Sequence, residues 1–244
     1  MIQMERENYI EKNEDLQATY TWHNCRRVFQ QTTARGTLLE IIDRPVWGLS
    51  CFMNGIIQSS EADEHIYHRA LVGPVLKGIG FDNLRIAIFG GGEGATAREV
   101  LKNRYVYHVD MFDWDEEVVN TFRQRFRQWS TSWEDPRLHV HFEDAFELVK
   151  TAPVQPYDAI IIDLFDIDTD SLPQSMEFLE RAAKWTKRKI GFFVTTQAPF
   201  LKPNHTILRK LRAVLRKEGF SSHLSSVYVP SFNGYAVFLL GVRE

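Results

Sequence analysis

The spacing of hydrophobic positions changes near residue 59, and the change divides the chain. From Arg35 to Gln58 short apolar runs alternate with turn residues. "TLLEIIDRPVWGLSCFMNGIIQ" is broken at Asp43–Pro45, Gly48 and Asn54–Gly55 and predicts two or three strands of a small antiparallel β unit. Next, "SSEADEHIYHRALVGPVL" reads as a helix opened by a Ser/Glu/Asp cluster. Beyond it the strand-like runs "LRIAIF", "YVYHVDMF", "RLHVHF", "YDAIIID" and "IGFFVTT" interleave with helical patterns over Ala95–Asn103, Glu116–Trp129 and Gln174–Lys187; a long helix over His205–Glu218 follows. Such alternation predicts an α/β fold, a doubly wound parallel sheet with helices on both faces. The closing pair "HLSSVYV" and "YAVFLLGV", joined by "PSFNG", predicts an antiparallel edge. The chain therefore reads as an N-terminal β unit over 1–58 and a Rossmann-like domain over 59–244.

In sheets of this kind ligands bind beyond the carboxyl ends of the strands, where strand order reverses. The strand ends carry Gly90, Gly91, Gly92 and Glu93 in "IAIFGGGEGATAREVL", then Asp113 with Asp115, Asp144, Asp163 with Asp166, and Thr196 with Gln197. The glycine loop is not a phosphate-binding G-x-x-x-x-G-K-[ST], since no lysine follows. Nor is it a G-x-G-x-x-G, since Thr96 and Ala97 follow Gly94 and Ala95. Asp113, about 20 residues on, stands where an acid accepts hydrogen bonds from a ribose diol, and loop plus acid point to an adenosine ligand. The same residues also suit a tight turn with Asp113 or Asp115 as a helix N-cap. Asp144 suits the donor-only amino group of adenine, or a cap on the following helix.

Several acids at one sheet edge repel one another unless a cation resides among them. A sulfonium nucleoside, with an adenosine end and a positive centre, meets both conditions. Asp163 and Asp166 in "YDAIIIDLFD" lie in one loop or helical turn and suit an ammonium group, or the capping of the helix near Gln174. Magnesium is the rival, with Asp168 and Asp170 nearby, but no histidine or third acid has an evident ligand pattern, and no metal is expected.

Composition narrows the classes further. With 244 residues, 44% of them hydrophobic, there is material for one main core and a small appendage. A net charge of −3 with dispersed basic residues gives no general case for nucleic acid. No apolar run approaches the roughly 18 residues of a membrane span, and "MIQMERENYIEKNEDL" is too polar for a signal peptide. Cys25 and Cys51 are too few for a disulfide framework and lack metal-ligand spacing, so a cytosolic protein is expected.

"GIIQSSEADEHIYH", "FGGGEGATAREVL", "FDWDEEVV", "YDAIIIDLFD", "TTQA" and "VPSF" occur in the order in which they stand in spermidine synthase and related aminopropyltransferases. The resemblance spans roughly Gly48 to Gly241, and the GGGEG, D-L-x-D and VPSF forms are most similar to thermospermine synthase and archaeal longer-chain enzymes. It implies a class I methyltransferase-like sheet and transfer of the aminopropyl group of decarboxylated S-adenosylmethionine, a co-substrate and no bound cofactor, to a polyamine. Methylthioadenosine is released. In the roles it implies, Glu93 holds the donor's aminopropyl ammonium with Gln58 and His68, Gly90 to Gly92 shape the loop, Asp113 takes the ribose, and Asp144 with Ala145 the adenine. Asp163 is the base, Tyr67 orients the amine and Asp166 anchors it, while Gln197 and Phe232 contact the acceptor. An intact carboxylated donor is repelled by Glu93.

Four positions depart from the family pattern: Arg69 where a glutamate follows Tyr-His, Ile167 for a proline, Thr37 for a glutamine and Ala236 for a pocket tryptophan. The loss of that tryptophan favours a triamine such as spermidine over putrescine, although Tyr235 is placed to refill the space. The alternatives are a putrescine-using spermidine synthase, an S-adenosylmethionine-dependent methyltransferase, and an inactive binding or regulatory homologue. The N-terminal β unit pairs subunits in the family, which implies a homodimer.

Overall fold

The computed structural model describes residues 6–13, 18–78, 82–164, 167, 170–187, 191–197 and 205–243. The chain divides into two compact units, Met1–His65 with Val229–Gly234, and Ile66–Tyr228 with Tyr235–Glu244.

The first unit holds a five-stranded antiparallel meander, β1 (Glu7–Asn13), β2 (Ala18–Thr32), β3 (Leu38–Arg44), β4 (Gly48–Met53) and β5 (Ile56–Ser60), paired in chain order. The two or three strands expected from alternation over Arg35–Gln58 are β3 to β5. The two before them were not read from the sequence, because the apolar side chains of β1 and β2 stand singly among polar ones. Tyr9, Cys25, Ile42 and Phe52 nevertheless form one cluster, with Trp22 and Ile57 packed against it. Glu11 of β1 is buried; it accepts from the Trp22 indole at 3.0 Å and from the Ile57 N–H at 3.3 Å, so the first strand is tied back to the last. Arg44 is also buried, its guanidinium 4.4 Å from the Trp22 ring centre, and burial lowers its pKa to about 10. Cys25 and Cys51 are both buried thiols.

Helix α1 (Glu64–Gly78) leads into the second unit, whose sheet has seven strands. In chain order follow β6 (Leu84–Gly90), α2 (Ala95–Leu101), β7 (Val106–Asp113), α3 (Glu116–Arg125), β8 (Leu138–Phe142), α4 (Ala145–Leu148) and β9 (Ala159–Asp163). Then come α5 (Leu172–Ala183), β10 (Gly191–Gln197), α6 (Thr206–Lys217), β11 (Ser221–Val229) and β12 (Gly234–Arg243). The strand order is β11-β12-β10-β9-β6-β7-β8; β6 to β10 pair in parallel and β12 runs antiparallel to β10. This is the doubly wound α/β sheet expected, with its antiparallel edge. Strands covered on both faces must be apolar at successive positions, and Ile86 to Phe89 and Ala159 to Ile161 are wholly buried. Phe89 carries the core contact, its ring meeting Phe112, Phe178 and Trp185 at 5.4–5.5 Å.

The helices end earlier than their periodicity suggests, most plainly α3 and α5. The Phe126 and Trp129 side chains, beyond the end of α3, fold back on Phe122. After α5, Thr186 bridges to Tyr157 and so leaves the helix early. Beneath the sheet, Asp110 of β7 gathers Arg85 of β6 at 2.8 Å, His108 at 2.7 Å, His141 of β8 at 2.7 Å and Tyr157 at 2.8 Å. Burial alone would raise its pKa, but these hydrogen bonds prevail and hold the carboxyl at about 2. Among the described residues no helix is long and apolar enough to cross a membrane.

Candidate active site

Strand order reverses between β6 and β9, and their carboxyl ends meet where Gly90 pairs with Asp163. Gly90 has φ of 83°, and a Cβ there would stand 2.1 Å from the Asp163 carbonyl oxygen. Backbone conformation and the neighbouring strand both exclude a side chain. The Gly91 N–H donates to that same carbonyl at 3.1 Å, and the Gly94 N–H closes the turn on the Gly91 carbonyl at 2.7 Å. At Gly94, φ 80°, a Cβ would meet Trp133 Cζ2 at 2.3 Å. Glu93 is buried inside this turn.

Two helices converge on the Asp163 side chain. The Thr96 hydroxyl, from the first turn of α2, donates to Oδ2 at 2.6 Å, and the Tyr67 hydroxyl, from α1, donates to Oδ1 at 3.3 Å. The Tyr67 ring stands edge-on to Phe238 of β12 at 5.5 Å and to His68 at 5.1 Å. His68 is buried. Arg69, by contrast, is exposed and points to Glu99 of α2 at 3.9 Å.

Asp113 ends β7 and is buried. Its Oδ1 accepts from the Asp115 N–H at 3.0 Å, and a backbone hydrogen bond from Gly92 ties it to the glycine turn. Burial raises its pKa to about 6; the Asp115 and Asp163 charges add to the rise, and the two backbone hydrogen bonds oppose it. The capping role open to both acids falls to Asp115, which accepts from the Val118 N–H at 3.3 Å.

Asp144 does cap its helix: it is exposed and accepts from the Phe146 N–H of α4 at 2.8 Å, with Ala145 buried behind it. The Glu143 N–H donates to the Asp113 carbonyl at 3.1 Å, which brings the two loops side by side. Gln58 belongs to the first unit, where its amide donates to the Ile56 carbonyl at 3.2 Å, and Phe232 lies there in a short 3-10 turn, Pro230–Phe232. Gln197 is the last residue of β10, paired with Val237. Asp166 and Asp168 lie outside the described residues. The residues brought together are thus Tyr67, Gly90 to Glu93, Asp113 and Asp163, joined by Thr96, which no sequence pattern singles out. Among the described residues no group of three or more His, Cys, Asp or Glu side chains is placed to hold a metal ion.

Residues 64–242 match the model of the spermine/spermidine synthase domain. A polyamine aminopropyltransferase of Aeropyrum pernix is 37% identical over 77% of this chain and 60% of its own length. One of Sulfurisphaera tokodaii is 32% identical over 84% of this chain and 67% of its own length. The chain therefore spans about two thirds or less of these relatives. In fold, the spermidine synthase of Thermotoga maritima superposes with a TM-score of 0.82 at 20% identity, covering all of this chain and 82% of that one. A spermidine synthase bound to the transition-state analogue AdoDATO gives 0.83 at 21% identity, covering all of this chain and 84% of its own.

Proposed function

This chain belongs to the spermine/spermidine synthase family, and from that premise we propose that it moves the aminopropyl group of decarboxylated S-adenosylmethionine to an amine of a polyamine, releasing methylthioadenosine. The observation that carries the reading is the Asp163 carboxylate, held by two hydroxyls at the strand reversal beside the glycine turn. Aliphatic amines titrate near ~10, so the bound acceptor arrives as an ammonium and must lose a proton before it attacks. Asp163 takes that proton. The freed lone pair forms the new N–C bond at the carbon beside sulfur, and the electrons of the breaking C–S bond return to sulfur. The leaving thioether is neutral, so no general acid is required and positioning carries much of the rate. Asp113 receives the ribose diol, and Glu93 the donor's ammonium.

Ala236 is buried on β12, while its neighbour Tyr235 is exposed with its ring 5.3 Å from Tyr228. Successive strand residues face opposite sides, so Tyr235 does not refill the space a bulkier residue would take at Ala236. This supports a longer acceptor, a triamine, over putrescine. Two buried thiols support a cytoplasmic setting, and we read the assembly as a homodimer. Turnover of the decarboxylated donor with putrescine, cadaverine, agmatine, norspermidine and spermidine is the test. The expected outcome is methylthioadenosine release with the highest kcat/KM for a triamine. Release with no amine would overturn the reading, and a clear putrescine preference would overturn the triamine alone.

A further inference from the structure

Both ends of the Asp163 residue are fastened to the same short segment. Its carbonyl accepts from the Gly91 N–H at 3.1 Å, and its Oδ2 accepts from Thr96 at 2.6 Å. Thr96 is fully buried, so water does not compete for its hydroxyl. Thr96 is the second residue of α2, so no preceding helical turn offers its hydroxyl a carbonyl, as one would in a helix interior. Here it reaches instead across the β6–β9 pairing to a carboxylate 67 residues away. Its β-branch restricts χ1, so the oxygen is presented with little rotamer freedom.

The two hydroxyls on Asp163 differ in kind. Thr96 stands at 2.6 Å from Oδ2 and belongs to the interior; Tyr67 stands at 3.3 Å from Oδ1 and is only half-buried. The shorter contact anchors one oxygen, and the other meets the longer Tyr67 contact. We propose that Thr96 is a positioning residue for the transfer: by holding Oδ2 it keeps Oδ1 turned toward Tyr67 as the oxygen that takes the acceptor's proton. The inference rests on the assignment of Asp163 as the base. A carboxylate released from Thr96 would rotate about χ2 and spend less time aligned with the amine, so the rate of the bound complex falls while binding of the nucleoside end does not change.

Thr96→Val, which keeps the shape and removes the hydroxyl, is the direct test, with Thr96→Ser as the conservative partner. With decarboxylated S-adenosylmethionine and the best amine of the panel, Thr96→Val should lower kcat by about 10-fold, in line with one charge-assisted hydrogen bond. KM and calorimetric affinity for methylthioadenosine should stay within about 2-fold, and Thr96→Ser should recover most of the loss. In the double variant with Asp163→Asn, the valine should add nothing to the loss from Asp163→Asn alone, because the hydroxyl acts only through the carboxylate. That comparison holds even if the valine costs stability. A Thr96→Val enzyme with unchanged kcat, a serine variant as slow as valine, or additive losses in the double variant would each overturn the inference while leaving aminopropyl transfer intact. A wild-type chain with no transfer to any amine would overturn the functional reading, and this inference with it.

Discussion

At Asp113 a single carboxyl group sets stability against binding. Its folded pKa, about 6, is raised above the ordinary 3.8, so its sign is opposite to that of most carboxylates. The favourable contribution of the protonated form is full below about pH 4 and is lost as pH rises through 6, costing about 3 kcal/mol by pH 8. Asp113→Asn cannot ionise and keeps one acceptor for the Asp115 N–H. Its melting temperature should exceed the wild type's at pH 8, with the gain vanishing near pH 4, as scanning calorimetry at the two values would read. The same change should weaken methylthioadenosine about 10-fold, because a ribose diol then meets one acceptor fewer. A variant neither stabilised at pH 8 nor weakened in binding would remove Asp113 from the nucleoside site. Glu93 carries a prediction of specificity: calorimetric titration should show the decarboxylated donor binding more tightly than intact S-adenosylmethionine, and Glu93→Gln should narrow the gap. Tighter binding of the intact donor would exclude Glu93 from the ammonium site. Glu93 and Asp113 were legible because glycine loops and strand-end acids have characteristic spacing. Thr96 was not, since an isolated threonine in a first helical turn has no periodic signal until β6 and β9 pair.

The elements of the larger unit were read from the sequence because a parallel strand buried on both faces cannot contain polar interruptions, and "AIIID" and "RIAIF" contain few. β1 and β2 escaped because most of their positions are exposed or half-buried and free to be polar, with Tyr9 and Cys25 the buried apolar exceptions. What strand pattern does not disclose is how the parallel strands are tied to one another by side chains midway along β7. There Asp110 joins β6, β7 and β8 through Arg85, His108 and His141, an arrangement of buried charge that is favourable only while every partner is present. Its folded pKa of about 2 lies below 3.8, so its contribution of about 2–3 kcal/mol is present above pH 4 and is lost as pH falls through 2. Asp110→Asn should lower the urea midpoint at pH 7 and approach the wild type as the pH is taken toward 2. A variant equally stable at pH 7 would mean that the four donors find water without cost.

At the scale of the whole molecule, the smaller unit raises the question of what completes it. The cluster of Tyr9, Cys25, Ile42 and Phe52 accounts for part of its buried apolar side chains, with Leu39, Ile41 and Cys51 fully buried beside them, and association is a further source of stability for a small unit of this kind. Ile10 and Ile56, on its first and last strands, are 58% and 40% exposed, and Val46 between two strands is 90% exposed. Single exposed aliphatics are ordinary, but in the homodimer proposed above these are the positions we expect a second copy to cover. A twofold pairing uses the same patch on both copies, so one change is felt twice. Sedimentation equilibrium at micromolar concentration should return twice 28.5 kDa. Ile10→Lys should shift the population toward the monomer by placing two like charges at the contact, while the larger unit keeps its methylthioadenosine affinity, because the site residues gathered around Asp163 and Asp113 all belong to that unit. A wild-type monomer would refute the pairing, and an Ile10→Lys dimer of unchanged affinity would move the contact to another surface.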